Sequence, residues 1–581
     1  MYYQNKRMRF ALNPSVYKIY EDFIWKGNHV DLAENFYATP PLTLDSLVDR
    51  IPSLMSSYKD MLWHIPEKIE TVKKVLLETN KNLGVLTPKV KENIDSLEQG
   101  AVESAHQSVA MGGPVYVLNK AATAFKISSL VREKGVSLSP FFCVADYDIV
   151  QSELTNIRTP LMGQDGNLIS LPVPKEYEFS PVSVLPLPGK HWLDQVEESI
   201  RSNYRPMFKN LERHARLLFE ERLEQALSII RLAFINSETL GEWSQRIMGY
   251  LFNIVGDLGI PLLLASDRKI RELLVEGMEF LLARENRTRF LKTFDEITDL
   301  IEASGFNPGI GRRGPDYVPF FYECPKSGCN NSRIELHYED LGSTAVLTGR
   351  CPTCSETVEI ETPADTPYLG EIANQMSPRV DSRQVLIDTL LPTVAHIGGP
   401  GETAYYAQVI PSARAMEIPF PMFVKYPRVY FNTPWNEQLA KSLEEEYEVL
   451  HRKDMFSLMG QIAKSRRKSQ FDEMNDNLVD LNRIILETHS SLNDQLKVTA
   501  TKIAEASGKE VEKLQLQKLD LERYLSWTFG QYAENKLGQE SSWAWIEWAI
   551  NSGFSDLFGA YERAYVGPMK NGATVFANFS V

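Results

Sequence analysis

Cysteine is scarce, with five residues in a chain of 581. A disulfide framework for a protein of this size is thereby excluded, which points to a reducing compartment. No apolar stretch is long enough to cross a bilayer, and the opening from Met1 to Lys26 mixes charges with aromatics where a secretory leader would carry an apolar core. A cytoplasmic protein with no membrane partner is expected. Basic excess is also missing. The formal net charge is -14, which works against the broad cationic face that nucleic-acid binding requires. What remains is an ordinary globular composition, 43% hydrophobic and 24% charged, in a chain long enough for about three or four structural units. Small-molecule chemistry is the class these absences leave.

The strongest local pattern runs from Leu391 to Gln408 and reads as strand, glycine turn, helix. Leu391-Pro392-Thr393-Val394-Ala395-His396-Ile397 ends at Gly398-Gly399-Pro400-Gly401-Glu402, and an amphipathic helix begins at once. Unpaired N–H groups at a helix start attract anions, and glycines let a phosphate or carboxylate come close. The same turn also serves simply to reverse a chain. A second one, Met111-Gly112-Gly113-Pro114, precedes a helix through Tyr116, Asn119 and Lys120. His106 and His396 lie beside the two turns, where each is either a hydrogen-bonded structural residue or a proton carrier. Tyr405 and Gln408 share a helix face that either lines a pocket or packs.

Two apolar runs end in acids: Pro140 to Val144, followed by Ala145, Asp146, Tyr147 and Asp148, and Gly259 to Asp267. Acids at the carboxyl ends of strands are where open α/β sheets bind ligands. With a further strand expected over Met422 to Tyr430 and helices between, the alternation implies a mainly parallel sheet. Residues 1–100 read as a helical lead-in, Trp192 to Phe234 as a long charged helical region, and Pro160 to Gly189 as strands or loops decorating the core. From about Glu437 to Ala533 the apolar residues follow helical spacing, as in Leu478, Leu481, Ile485 and Leu492, and suit an antiparallel coiled coil turned at Gly508 and near Ser469. Three tryptophans within Trp543 to Trp548 predict that the end of the chain packs back on the body.

Cys324, Cys329, Cys351 and Cys354 form two close pairs separated by an alternating segment, the pattern of a zinc ribbon. Four thiolates fill a tetrahedral zinc and leave no position for water, so such a site is structural. Cys143, within an apolar strand, reads as core. Lys464-Ser465-Arg466-Arg467-Lys468 reads either as charge solvated near a helix end or as a phosphate contact.

Taken together, these residues resemble the BshC family, the cysteine-adding enzymes of bacillithiol biosynthesis. The family's glycine-glutamine segment, Gly-Pro-Leu-Tyr and following lysine look like His106-Gln107, Gly113-Pro114-Val115-Tyr116 and Lys120. Its acid-ended strand looks like Phe141 to Asp148, its Gly-Gly-Pro-Gly-Glu-x-x-Tyr motif like Gly398 to Tyr405, and Pro419 to Arg428 also fits. Two departures stand out. Ala145-Asp146 occupies the place of a Glu-Asp pair with Tyr147 replacing histidine, and the cysteine pairs are inserted between Gly305 and Thr362.

The resemblance implies an α/β fold, a Rossmann-like core related to class I nucleotidyl-transferring enzymes, with connecting insertions and a C-terminal helical coiled coil. The expected organisation is a lead-in over 1–100, a first core part with a helical insertion over 101–304, a connecting insertion over 305–376, a second core part over 377–436, and coiled coil with C-terminal packing over 437–581. It implies ligation of cysteine to the amine of an amino-sugar conjugate such as glucosaminyl malate, with ATP activating the carboxylate. Asp146, Asp148, His396 and Glu402 are the catalytic candidates, with His106, Gln107, Gly113, Asn119, Lys120, Gly398, Gly399, Gly401, Tyr405 and Arg428 for substrate or nucleotide. Structural zinc on the four cysteines and a homodimer through the coiled coil complete the expectation. The alternative is a noncatalytic binding or scaffold protein that keeps the fold.

Overall fold

A computed structural model describes residues 13–59, 65–160, 167–209, 211–434, 458, 461–462, 464–465, 468, 470–531 and 539–579. Its centre is a five-stranded parallel sheet of β1 (Ala101–Gln107), β2 (Ser139–Ala145), β3 (Leu262–Leu264), β4 (Thr393–Gly398) and β5 (Met422–Lys425), in the order β5-β4-β1-β2-β3. The chain steps outward from β1 to β3, then returns to β1's other side. The reversal falls between β1 and β4, the place where open α/β sheets leave a ligand crevice at the carboxyl ends of the strands.

β2 is legible because a parallel strand is buried on both faces and so reads as a continuous apolar run, here Phe141 to Val144. β1 was not expected as a strand. Its Ala-Val-Glu-Ser-Ala-His-Gln has no apolar continuity, yet it is the central strand, hydrogen-bonded to β4 and β2. Alternation splits it: Val102 joins one hydrophobic core and Ala101 and Ala105 the other. Glu103 and His396 are register partners on one face, so His106, three residues on from Glu103, lies on the opposite face.

Two expected strands are corrected, and the expected helical region divides in two. The run Gly259 to Asp267 pairs only over Leu262–Leu264, preceded by Pro261, which has no N–H to give a ladder; on the outer edge the Asn80 side chain occupies both the N–H and the carbonyl of Leu262. Met422 to Tyr430 is two strands: β5 ends before Tyr426-Pro427, and β6 (Arg428–Asn432) pairs in parallel with β7 (Thr574–Asn578). Pro427 carries no N–H and cannot continue a ladder. Trp192 to Phe234 is two helices, Lys190–Phe208 and Arg213–Ile235, packed on each other.

Helix α1 (Tyr116–Glu133) follows β1, α2 (Arg268–Leu282) follows β3, α3 (Arg383–Asp388) precedes β4, and α4 (Pro400–Ala415) follows it. In the lead-in, Tyr20 Oη donates to the Phe423 carbonyl at 2.9 Å and Tyr37 Oη to the Thr403 carbonyl at 2.8 Å, which anchors two helices to β5 and α4. Between α2 and α3, strands 320–323, 333–335 and 376–378 form one small sheet and 337–340, 344–350 and 357–363 another, both antiparallel. Further on, α5 (Phe471–Glu505) and α6 (Lys509–Gln531) lie side by side, turned at Gly508, whose φ of 62° suits glycine. The earlier part of that helical region, 437–457, and Arg466 and Arg467 of the basic run lie outside the described residues. Trp543, Trp545 and Trp548 are buried, and Trp545 Nε1 donates to the Met111 carbonyl at 2.7 Å. The end of the chain thus holds the turn after β1.

Candidate active site

The crevice position that the topology sets between β1 and β4 is flanked by the two glycine turns. At the end of β1, His106 Nδ1 lies 2.8 Å from the Gln107 carbonyl and Nε2 lies 2.6 Å from Tyr116 Oη. A carbonyl only accepts, so this assigns the hydrogen to Nδ1, and Nε2 accepts from the Tyr116 hydroxyl. Burial, then the neighbouring Lys120 charge, push His106 down to about 4, so the imidazole is neutral at physiological pH. Tyr116 and Lys120 are one helical turn apart on α1 and reach the same end of β1. Lys120 Nζ donates to the Ala105 carbonyl at 2.9 Å and pairs with Glu402 in the first turn of α4. The second Glu402 oxygen accepts from Gly399 N–H at 3.1 Å. Burial opposes ionisation of Glu402, but the Lys120 ammonium outweighs it and holds the carboxyl at about 2.

Close approach accounts for two of the glycines. A Cβ on Gly398 would stand 2.5 Å from the Phe423 ring and 2.8 Å from Glu402 Cβ, and one on Gly399 would stand 2.9 Å from the Tyr426 ring. Gly401 is different: a Cβ there meets nothing within 4 Å, and the residue is exposed. The first turn of α4 is therefore open to a ligand at Gly401. Gly113 has φ 91°, and its carbonyl accepts from Trp545 N–H at 3.2 Å.

The other proposed residues are distributed around this crevice. Gln107 and Tyr405 are half-buried at its rim. Asp146 sits beyond β2 and is fully engaged, accepting from Ser266 N–H at 2.9 Å and Gln245 Nε2 at 2.9 Å and from the Ser266 hydroxyl at 2.5 Å. Burial raises it to about 6 despite those donors. Asp148 lies 3.4 Å from Arg333 of the insertion. His396 is inside the sheet on the face opposite His106, 3.3 Å from Glu103 and 3.3 Å from Tyr406 Oη. Burial lowers its pKa, with Glu103 opposing. The two histidines flanking the glycine turns therefore do not act on one face. Asn119 is turned away from the crevice: its amide donates to the Pro427 carbonyl at 2.6 Å and to Glu540 at 2.8 Å, and its carbonyl accepts from Tyr565. Arg428 lies in β6, with its N–H on the Ala573 carbonyl. Gln408 packs, bonding Ile310 and Thr298.

Sequence reasoning passed over Arg383 and Tyr426. Tyr426 stacks on Tyr116 at 6.4 Å across the crevice. Arg383 is buried beside Tyr406, with Tyr405, Tyr147 and Glu103 as its next electrostatic neighbours. A single arginine in a mixed segment carries no pattern that could have marked it. In the insertion, one ligand atom from each of Cys324, Cys329, Cys351 and Cys354 lies within 4.8 Å of the others, and three of the four residues are buried. The Cys329 and Cys351 sulfurs are 3.9 Å apart, far too long for a disulfide and close to the edge of a zinc–thiolate tetrahedron. The set fits a tetrahedral metal.

A family model described as Bacillithiol biosynthesis BshC, N-terminal Rossmann-like domain, matches residues 11–429. Among proteins provisionally named cysteine ligase BshC, one from Oceanobacillus iheyensis is 20% identical over 68% of this chain and 65% of its own length. One from Staphylococcus haemolyticus is 24% identical over 61% of this chain and 60% of its own. A third, from Chloroherpeton thalassium, is 28% identical over 29% of this chain and 27% of its own. The chain thus spans less than two thirds of the length of each of these relatives. A match extending through all five strands of the sheet, with the glycine-turn crevice inside it, places this chain in the BshC family of bacillithiol biosynthesis.

Proposed function

We propose that the β1–β4 crevice joins the carboxyl of cysteine to the amine of an amino-sugar conjugate of the glucosaminyl-malate kind, in bacillithiol-type thiol biosynthesis. The observation that carries this is the family match over 11–429, whose relatives are named for cysteine ligation. The geometry of the crevice is compatible with it. A carboxylate does not acylate an amine unaided, so an ATP-derived acyl phosphate or adenylate supplies the leaving group. The amine nitrogen then bonds to the carbonyl carbon, phosphate or AMP departs with the electron pair of the broken C–O bond, and the amine proton goes to base or solvent.

In this reading the open turn at Gly401 meets an anionic oxygen. The Lys120–Glu402 pair locks the two glycine turns together and sets the width of the crevice. Neutral His106 holds the Tyr116 hydroxyl toward the ligand. Asp146, Asp148 and His396 act from the periphery, by shaping the ends of β2 and β4.

Zinc on the four cysteines is structural in the same proposal, keeping the insertion folded beside the ends of β2 and β3. Exposed Val498 and Leu516 on the α5–α6 hairpin suit pairing of two chains in a cytoplasmic homodimer, which light scattering tests. The catalytic test is incubation with ATP, cysteine and glucosaminyl malate, followed by mass spectrometry for the new amide. No amide with this acceptor or with a panel of amino sugars and amino acids rejects the ligase reading in favour of a noncatalytic binding protein.

A further inference from the structure

Arg383 opens α3, which packs on the Glu103–His396 face of the sheet. It is 8% exposed, and the only hydrogen bond of its side chain among the described residues is from Nη2 to Tyr406 Oη at 3.4 Å. No carboxylate of the described residues stands within ion-pair distance. The arginines around it are served differently: Arg271 has Glu323 at 2.7 Å, Arg313 has Asp381 at 2.6 Å, Arg379 has Glu335 at 3.0 Å and Arg333 has Asp148 at 3.4 Å. The nearest acids make no direct contact with Arg383, although its charge, after that of His396, helps to lower Glu103. Gln384 Nε2 donates to Glu103 at 2.6 Å and to Asp388 at 2.9 Å.

A guanidinium taken out of water with no carboxylate in direct contact is costly, which a fold tolerates where a ligand supplies an anion to its fork. The surroundings are phenols. Tyr406, Tyr405 and Tyr147 are its nearest electrostatic neighbours, and all three stay neutral because burial raises them. Tyr147 Oη has no hydrogen-bond partner among the described residues. His106 and Cys143 also feel the Arg383 charge, so it spans the ends of β1 and β2.

We propose that Arg383 is the anchor of an oxyanion subsite at the rim of the crevice, taking two oxygens of a carboxylate or phosphate in its planar fork, with the Tyr147 hydroxyl as a further donor. This deepens, and rests on, the reading of the crevice as a small-molecule site. The fork geometry suits two parallel N–H···O bonds, which a lysine cannot supply. The subsite orients its ligand and takes no part in bond making.

The test is calorimetric titration of the full-length chain and of Arg383→Met, Arg383→Gln and Arg383→Lys with inorganic phosphate, L-malate and L-cysteine separately, alongside ligand-free melting curves. Wild type binds at least one probe, and the neutral variants bind it about tenfold or more weakly. Arg383→Lys retains part of the affinity. Which probe binds separates a phosphoryl from a carboxylate ligand. Because Arg383 has no ion-pair partner among the described residues, Arg383→Met melts no lower than wild type without ligand. Equal affinity in Arg383→Met, no binding of any probe to wild type, or a large loss of ligand-free stability in both neutral variants overturns the proposal. Arg383-dependent binding without amide synthesis defeats only the ligase reading, whereas amide synthesis undiminished in Arg383→Gln defeats only the subsite.

Discussion

Lys120 and Glu402, 282 positions apart, form an ion pair that ties the helix after β1 to the helix after β4. Their side chains are 2% and 22% exposed. Such a pair matters through what is left when one member goes: the survivor is a buried charge without a partner.

Lys120→Met should therefore cost about 3 kcal/mol or more in chemical denaturation, and the double variant with Glu402→Gln should recover much of it. The acid limb carries the same signature. Glu402 is held at about 2 against an ordinary 4.5, so its contribution is full above pH 4.5 and disappears as pH falls from there toward 2. Melting curves of wild type and Glu402→Gln should converge across that window. Parallel curves down to pH 2 would refute the coupling.

At the alkaline side the sign reverses. Burial raises Glu547, which accepts from Tyr204 Oη at 2.6 Å, to about 8, and raises Glu540 to about 7. Their contribution is full below the ordinary 4.5 and is lost as pH rises through 7 and 8. Stability should decline from about pH 4.5 to about 8, and Glu547→Gln should flatten that decline. An unchanged slope would show that Glu547 is not the group responsible.

Metal analysis should return about one zinc per chain, and Cys351→Ser should lose it. The insertion meets the core through Arg333 N–H on the Phe179 carbonyl at 2.8 Å, Arg333 with Asp148, and Glu323 with Arg271. Loss of metal should therefore raise hydrogen exchange across 320–363 and at the end of β2, while the middle of β1 stays protected. A metal-free wild type would remove the site.

Trp545→Ala should cost about 3–5 kcal/mol, the usual penalty for emptying a large buried site. It also releases the Met111 carbonyl, in a turn where Met111 has φ 56° and a Cβ on Gly112 would come within 2.5 Å of Ile247. Ligand affinity in the crevice should fall along with stability. A variant that keeps full affinity would separate the C-terminal segment from the site.

Much of this molecule follows from local pattern. The apolar run of β2, the glycine turns before α1 and α4, the paired cysteines and the helical spacing of α5 and α6 are each written within a few consecutive residues, because strand burial, tight turns, ligand knuckles and helix faces are short-range demands. The ordered series of such motifs was enough to point to the family. Tertiary structure decided the rest. β1 is a strand because β2 and β4 close on both sides of it, overriding a polar sequence. The alternation of that strand put His106 and His396 on opposite faces, and the fold turned Asn119 toward Glu540 and away from the crevice. Whether a charge is paired is a three-dimensional property. Lys120 pairs with Glu402 and Arg383 has no carboxylate within ion-pair distance among the described residues, and although the glycine turn marks Lys120 and nothing marks Arg383, no local pattern announces either outcome.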